Sequence, residues 1–128
     1  MKLRGVSTMT ITYKNAEYRC AMELTLGLIG GKWKSLILWY IGEKTIRFSD
    51  LRRSLPQITQ KMLTQQLRQL EENGLVNRLI YTQIPPKVEY SLTEAGKSLL
   101  PILSTLCHWG LNHANEVEST KPKTNCKC

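Results

Sequence analysis

One narrow apolar stripe constrains this chain more than any other feature. Between Thr59 and Gly74, leucines at 63, 67 and 70 recur at spacings of four and three, the period of a helix that buries one thin edge. Thr59 is suited to cap its start and Gly74 to end it as the C′ residue, so a helix is expected over 59–73. The opposite face carries Lys61, Thr64, Gln65, Arg68 and Glu72. A helix so polar cannot be a core element or a membrane span. It needs a scaffold on one side and presents long hydrogen-bonding side chains on the other.

The flanking segments describe that scaffold. A helix is expected over 17–29, with Met22, Leu24, Leu26, Leu28 and Ile29 apolar and Gly30-Gly31 as its stop. A second, over 32–41, repeats Trp33, Leu36, Ile37 and Tyr40 at helical spacing, is expected at the centre of the core, and closes at Gly42. After a short extended piece at 45–48, Ser49 offers an N-cap for a short helix ending before Pro56. Beyond the striped helix the pattern turns to strand over 75–93, through Val76, Ile80, Tyr81, Val88 and Tyr90. Pro85-Pro86 interrupts it, so the segment reads as a hairpin with a rigid tip at 83–87. Thr93 then caps a last helix reaching about residue 115, with Leu99, Ile102, Leu103, Leu106 and Trp109 along one side and Pro101 predicting a kink.

Short helix, tight turn, striped helix and β-ribbon in this order make the winged helix-turn-helix plan, mainly α with a two-stranded β wing. The expected organisation is a poorly patterned N-terminal arm (1–16), the winged helix-turn-helix domain (17–116) and a flexible C-terminal tail (117–128).

Charge agrees with a polyanionic partner. Eighteen Lys and Arg against ten Asp and Glu give a net +8. Between Lys32 and Arg68 the bias is sharper, with Glu43 and Asp50 the acidic residues among Lys32, Lys34, Lys44, Arg47, Arg52, Arg53 and Lys61. On this plan Thr59, Gln60, Lys61, Thr64, Gln65 and Arg68 form the recognition-helix set. Gln can pair with adenine, Arg and Lys with guanine, and the Thr methyl can meet that of thymine. Lys32, Lys34, Arg52 and Arg53 are the expected phosphate contacts, and Lys87 at the hairpin tip would reach a minor groove or the backbone. The bland alternative is a solvated helix face, which the order of the surrounding elements argues against.

Other chemistry is weak. No apolar stretch is long enough to span a bilayer and the first fourteen residues lack a signal-peptide core, so a cytoplasmic protein without a membrane partner is expected. In a reducing compartment Cys20, Cys107, Cys126 and Cys128 would not form a disulfide framework. Cys20 follows Arg19 near a helix start, where a cation and the helix dipole both favour thiolate; the readings are a redox or electrophile sensor or an inert cysteine. Cys107, His108 and His113 lack metal-ligand spacing, and Cys-x-Cys at the end is a poor metal signal, so no metal or other cofactor is expected. Residues 27–32 resemble a phosphate loop only superficially, because Trp33 stands where Ser or Thr is needed. Neither histidine has a nucleophile partner, so no catalytic residue and no enzyme are expected.

A family resemblance adds to this. Cys20-Ala-Met-Glu23, Leu28-Ile-Gly-Gly-Lys-Trp33, Arg47-Phe-Ser-Asp-Leu51, Leu63-Thr-Gln-Gln-Leu67, Leu70-Glu-Glu-Asn-Gly-Leu75, Pro85-Pro-Lys-Val-Glu-Tyr-Ser-Leu-Thr93 and Cys107-His-Trp-Gly110 closely resemble the HxlR-type transcription regulators of the MarR-like group. The resemblance covers 20–116. It implies a homodimer built by the N- and C-terminal helices, acting on double-stranded DNA at a pseudo-palindromic operator as a repressor. It also implies a small-molecule or electrophile effector, because several members sense electrophiles or oxidants through a cysteine at the position of Cys20. Two departures stand out: Ala21 where the family often has Pro, and Gln66 where it often has Arg, which bears on a phosphate contact. The competing readings are an ArsR-like metal-sensing regulator, a small thiol enzyme using Cys20, and a winged helix used only for protein contacts.

Overall fold

The computed structural model describes residues 10–117 of the 128-residue chain. Eleven elements follow in order among them: β1 (Ile11–Tyr13), β2 (Ala16–Tyr18), α1 (Ala21–Ile29), α2 (Lys34–Ile41), β3 (Ile46–Arg47), α3 (Phe48–Ser54), α4 (Gln60–Glu72), β4 (Val76–Tyr81), β5 (Lys87–Leu92), α5 (Glu94–Ser98) and α6 (Leu100–Val117). This is a winged helix-turn-helix: α3, a turn, α4, then the β4–β5 ribbon. β3 pairs antiparallel with β5 through Ile46↔Tyr90 and Arg47↔Glu89, giving a three-stranded sheet of order β3-β5-β4.

The leucine stripe seats α4 as its spacing predicts. Leu63, Leu67 and Leu70 are all buried among Ile37, Leu38, Ile41 and Leu51 in one cluster. The Thr59 hydroxyl accepts from the Met62 N–H at 3.0 Å, capping the start. At the other end Gly74 has φ +75°, Leu75 N–H donates to the Leu70 carbonyl and Gly74 N–H to that of Glu71. That is the two-bond Schellman stop, closed by the burial of both Leu70 and Leu75.

The ribbon is then tied to α5. The Thr93 hydroxyl donates to the Gly74 carbonyl at 2.7 Å and accepts from Gly96 N–H at 3.0 Å. Gly96 is required there, since a Cβ would stand 2.2 Å from the Leu75 carbonyl oxygen.

Several boundaries differ from expectation for local reasons. The arm expected over 1–16 contains β1 and extends into β2, a hairpin turning through Lys14 (φ +50°) and Asn15 (φ +66°). Its pairing ends at Tyr18, which delays α1 to Ala21. Ser49 is not the cap of α3: the helix begins at Phe48, immediately after Arg47 leaves the β3 ladder. The buried face of α2 is Ile37, Leu38 and Ile41, whereas Leu36 and Tyr40 are exposed. The kink expected at Pro101 is a break at Leu99 between α5 and α6, placing Pro101 in the first turn of α6, where its missing N–H costs least. Along α6 only Leu103 is buried; Ile102, Leu106 and Trp109 lie open. Cys126 and Cys128 lie outside the described residues.

Candidate nucleic-acid interface

With its leucines locked inward, α4 turns a fixed set of side chains to solvent. Gln60, Lys61, Thr64, Gln65 and Arg68 together line one shallow groove of about 420 Å³. Gln60 also borders a cavity of about 520 Å³ between α3 and α4, with Ser49, Arg52 and Arg53. Thr64 and Arg68 border a third, of about 530 Å³, with Arg47, Ser49, Glu71, Arg78, Pro86 and Val88. The polar face of α4 is therefore flanked by arginines on both sides. Thr59, although exposed, spends its hydroxyl on the helix cap.

Arg47, Arg78 and Ser49 escaped the reading of the sequence. Both arginines sit on strands that flank β5: Arg78 stands opposite Tyr90, and Arg47 opposite Glu89, one residue along from the Ile46↔Tyr90 pair. Tyr90 is buried, so its strand partners are pinned while alternation sends Arg47 outward from buried Ile46. Seeing this requires the β3–β5 pairing, which a two-residue strand does not announce.

The expected phosphate contacts differ in their surroundings. Arg52 is exposed; Arg53 pairs with Asp50, both well exposed, so the pair holds Arg53 only weakly against a phosphate. Lys32 lies 4.9 Å over the Trp33 ring and Lys34 is half-buried at the start of α2; neither lines the three cavities on α4. Lys87 lies along the ribbon rather than beyond it: its Nζ is 4.3 Å from the Tyr81 ring centroid and 3.6 Å from Glu89 Oε2.

A helix held by one edge, with a basic ribbon beside it, matches known proteins over most of the chain. The model of the HxlR-like helix-turn-helix family matches residues 28–118. The chain belongs to that family. The HTH-type transcriptional regulator YtcD of Bacillus subtilis (strain 168) is 55% identical over 101 residues, 79% of this chain and 80% of that one. An HTH-type transcriptional regulator of Methanothermobacter thermautotrophicus is 50% identical over 107 residues, 84% and 82% of the two chains. Among solved structures, the redox regulator HypR in its reduced form superposes with TM-score 0.73 at 48% identity, covering 78% of this chain and 99% of that one. Its oxidised form gives 0.68 at 52% identity, over 71% and 94%. This HxlR-family chain is a helix-turn-helix transcriptional regulator, and DNA binding is what the family implies.

Cys20 occupies a distinct corner. It is the N-cap residue of α1, with extended backbone and a free, exposed thiol that makes no capping hydrogen bond. Arg19, expected to assist it, is turned to Glu23: its backbone N–H donates to Oε1 at 2.6 Å and its guanidinium lies 3.4 Å from Oε2. The Arg19 N–H chiefly, and then the guanidinium charge, hold the Glu23 carboxyl below the usual carboxylate range. The cation is thus shared with a carboxylate.

On α6, Cys107 is half-buried. His108 Nδ1 is 2.8 Å from the Ser104 carbonyl oxygen, and His113 stacks on Trp109 at 4.8 Å. Among the described residues no group of three His, Cys, Asp or Glu could hold a metal ion, and no helix is long and apolar enough to cross a membrane.

Proposed function

We propose that this chain acts as a homodimeric repressor on a pseudo-palindromic operator, with α4 reading base edges in the major groove. The observation that carries the reading is the single groove shared by Gln60, Lys61, Thr64, Gln65 and Arg68, with arginines on either flank. Gln60, Gln65 and Arg68 suit base edges, while Arg47, Arg52, Arg53 and Arg78 suit phosphates. The positive charge would serve this partner in the cytoplasm.

Support for the dimer is the apolar surface left open on three helices: Met22 and Leu26 of α1, Leu36 and Tyr40 of α2, and Ile102, Leu106 and Trp109 of α6. So much exposed hydrocarbon is unusual for a small monomer and suits a partner helix. A two-fold dimer would set two copies of α4 about 34 Å apart, one turn of duplex. Cys20 is the proposed gate. Oxidation or alkylation there would alter the start of α1, on which the dimer rests, and hence the spacing of the two α4 helices. Several phosphate contacts would then be lost together.

A second reading of the gate rests on a cavity of about 620 Å³ between α2, α5 and α6, lined by Trp39, Tyr40, Glu43, Lys97, Leu100 and Pro101. Its aromatic walls, with polar groups of both signs at the rim, suit a small aromatic effector.

The test is gel-shift binding to the DNA upstream of the chain's own gene, with and without diamide, for wild type and Cys20→Ser. Binding lost on oxidation in wild type alone is the expected result. Binding that ignores diamide in both removes the thiol gate and directs the search to the α2/α6 cavity. Equal retention of random DNA overturns the operator reading.

A further inference from the structure

The ribbon tip carries an unused feature. The last register pair of the wing is Tyr81↔Lys87, so residues 82–86 form the loop beyond it and Ile84 stands at its midpoint. Ile84 is 100% exposed, the most exposed of the large apolar residues described.

The chemistry of this apex is not that of a phosphate contact. The nearest cation, Lys87, is drawn back over Tyr81 and towards Glu89. Pro85 and Pro86 have no N–H, and the Gln83 N–H is spent on the Tyr81 carbonyl at 3.0 Å. Past the exposed polar side chains of Thr82 and Gln83, what the midpoint of the tip offers is hydrocarbon. It is offered rigidly: two prolines fix φ behind a β-branched side chain with few rotamers, so little entropy is lost when the side chain is held.

Its position names the occupant. Pro86 and Val88 at the tip-ward end of β5 line the same cavity as Arg47, Arg68, Arg78 and Thr64. The ribbon therefore continues the positively charged face of α4, and a duplex seated on that face runs on beneath the wing. An apolar projection beyond an arginine-lined cavity suits a nucleic-acid groove whose backbone is anionic and whose base stack is not.

We propose that Ile84 is an apolar wedge that enters the minor groove beside the α4 site and partly unstacks one base step, bending the duplex. Resting on the DNA-binding reading above, this assigns the wing a specificity it could not obtain from Lys87. Pyrimidine–purine steps unstack most easily, so the wedge selects TA or CA at one flanking position that receives no hydrogen bond.

The full-length chain is used to select a preferred duplex from random-sequence DNA, and 2-aminopurine is then substituted for adenine at successive flanking positions. The expected result is a fluorescence rise at one position per half-site with wild type, its loss with Ile84→Ser, and its recovery with Ile84→Met. Ile84→Ser also weakens binding to the selected duplex about tenfold while leaving binding to a duplex stiffened at that step unchanged. Ile84 touches no core residue, so both variants fold. If wild type binds the selected duplex with no fluorescence rise, or the rise survives in Ile84→Ser, the wedge is overturned and the DNA-binding reading stands. If no sequence is selected at all, both fall.

Discussion

The Tyr81 hydroxyl donates to Glu89 Oε1 at 2.8 Å across the outer end of the wing, while Lys87 lies over the same tyrosine ring and beside the same carboxylate. Three side chains on two strands thus brace the ribbon across its last three rungs. The arrangement stiffens the wing and draws its terminal cation partly back from solvent, while Arg47 and Arg78 line the cavity beside α4.

A pH dependence follows from this brace. The hydrogen bond to Glu89 first, then desolvation and the carboxylate's charge, raise the Tyr81 phenol above the ordinary tyrosine range. A raised value means the folded state holds the proton more tightly, so the contact contributes fully below the ordinary range. It is lost as pH rises through the raised value. An ultraviolet titration of the phenols should lose a component above the ordinary tyrosine range in Tyr81→Phe. An unchanged curve contradicts the brace.

Arg68→Ala and Arg53→Ala should separate reading from positioning. Arg68 borders both the α4 groove and the arginine cavity, so its loss should cost about 1–3 kcal/mol against the preferred sequence and less on random DNA. Arg53→Ala should weaken both alike. Arg47→Ala and Arg78→Ala should each lower the salt slope of binding by about one, measured by fluorescence anisotropy from low to physiological salt.

Stability should be sensitive where α4 hands over to the ribbon. Gly96→Ala drives a methyl against the Leu75 carbonyl and should cost about 1–3 kcal/mol, whereas Gly110→Ala meets nothing within 4 Å and should be neutral or slightly stabilising. Leu67→Ala, removing a buried stripe residue, should cost about 2–5 kcal/mol. Urea denaturation followed by circular dichroism measures all three.

The open apolar face gives a prediction about assembly. Leu106→Asp and Trp109→Asp replace exposed side chains of α6, so they should leave the fold intact while shifting the chain from dimer to monomer in sedimentation velocity. Wild type sedimenting as a monomer at micromolar concentration contradicts the dimer.

How far the fold was legible depends on the range of the forces that set each element. Thr59, the leucine stripe and Gly74 act within one helix, and α4 lies where they put it, as does the β4–β5 ribbon around its prolines. What a local reading misses is pairing at a distance. The β1–β2 hairpin depends on two residues in the left-handed region, Lys14 and Asn15, without the glycine that usually advertises such a turn. The two residues of β3 are strand because β5 lies beside them, and that pairing starts α3 at Phe48 instead of from a Ser49 cap. On α6, Ile102, Leu106 and Trp109 repeat as a core stripe would, yet all three are exposed, since periodicity reports a buried face and not which chain buries it.

The candidate site divides in the same way. The α4 residues shared a helix face and were readable from spacing alone, whereas Arg47, opposite Glu89, and Arg78, opposite Tyr90, reach the same cavity only through pairing with β5. Lys87 and Arg19 were assigned from charge and position. Each is engaged by a nearby carboxylate, a contact that one-dimensional charge patterning does not reveal.

Nuclease protection of the DNA upstream of the chain's own gene, with excess random competitor at physiological salt, tests the central claim most directly. The account predicts two protected half-sites whose centres lie about one helical turn apart, lost together in Arg68→Ala. Protection that follows no sequence, or is absent until the salt is lowered, would contradict it.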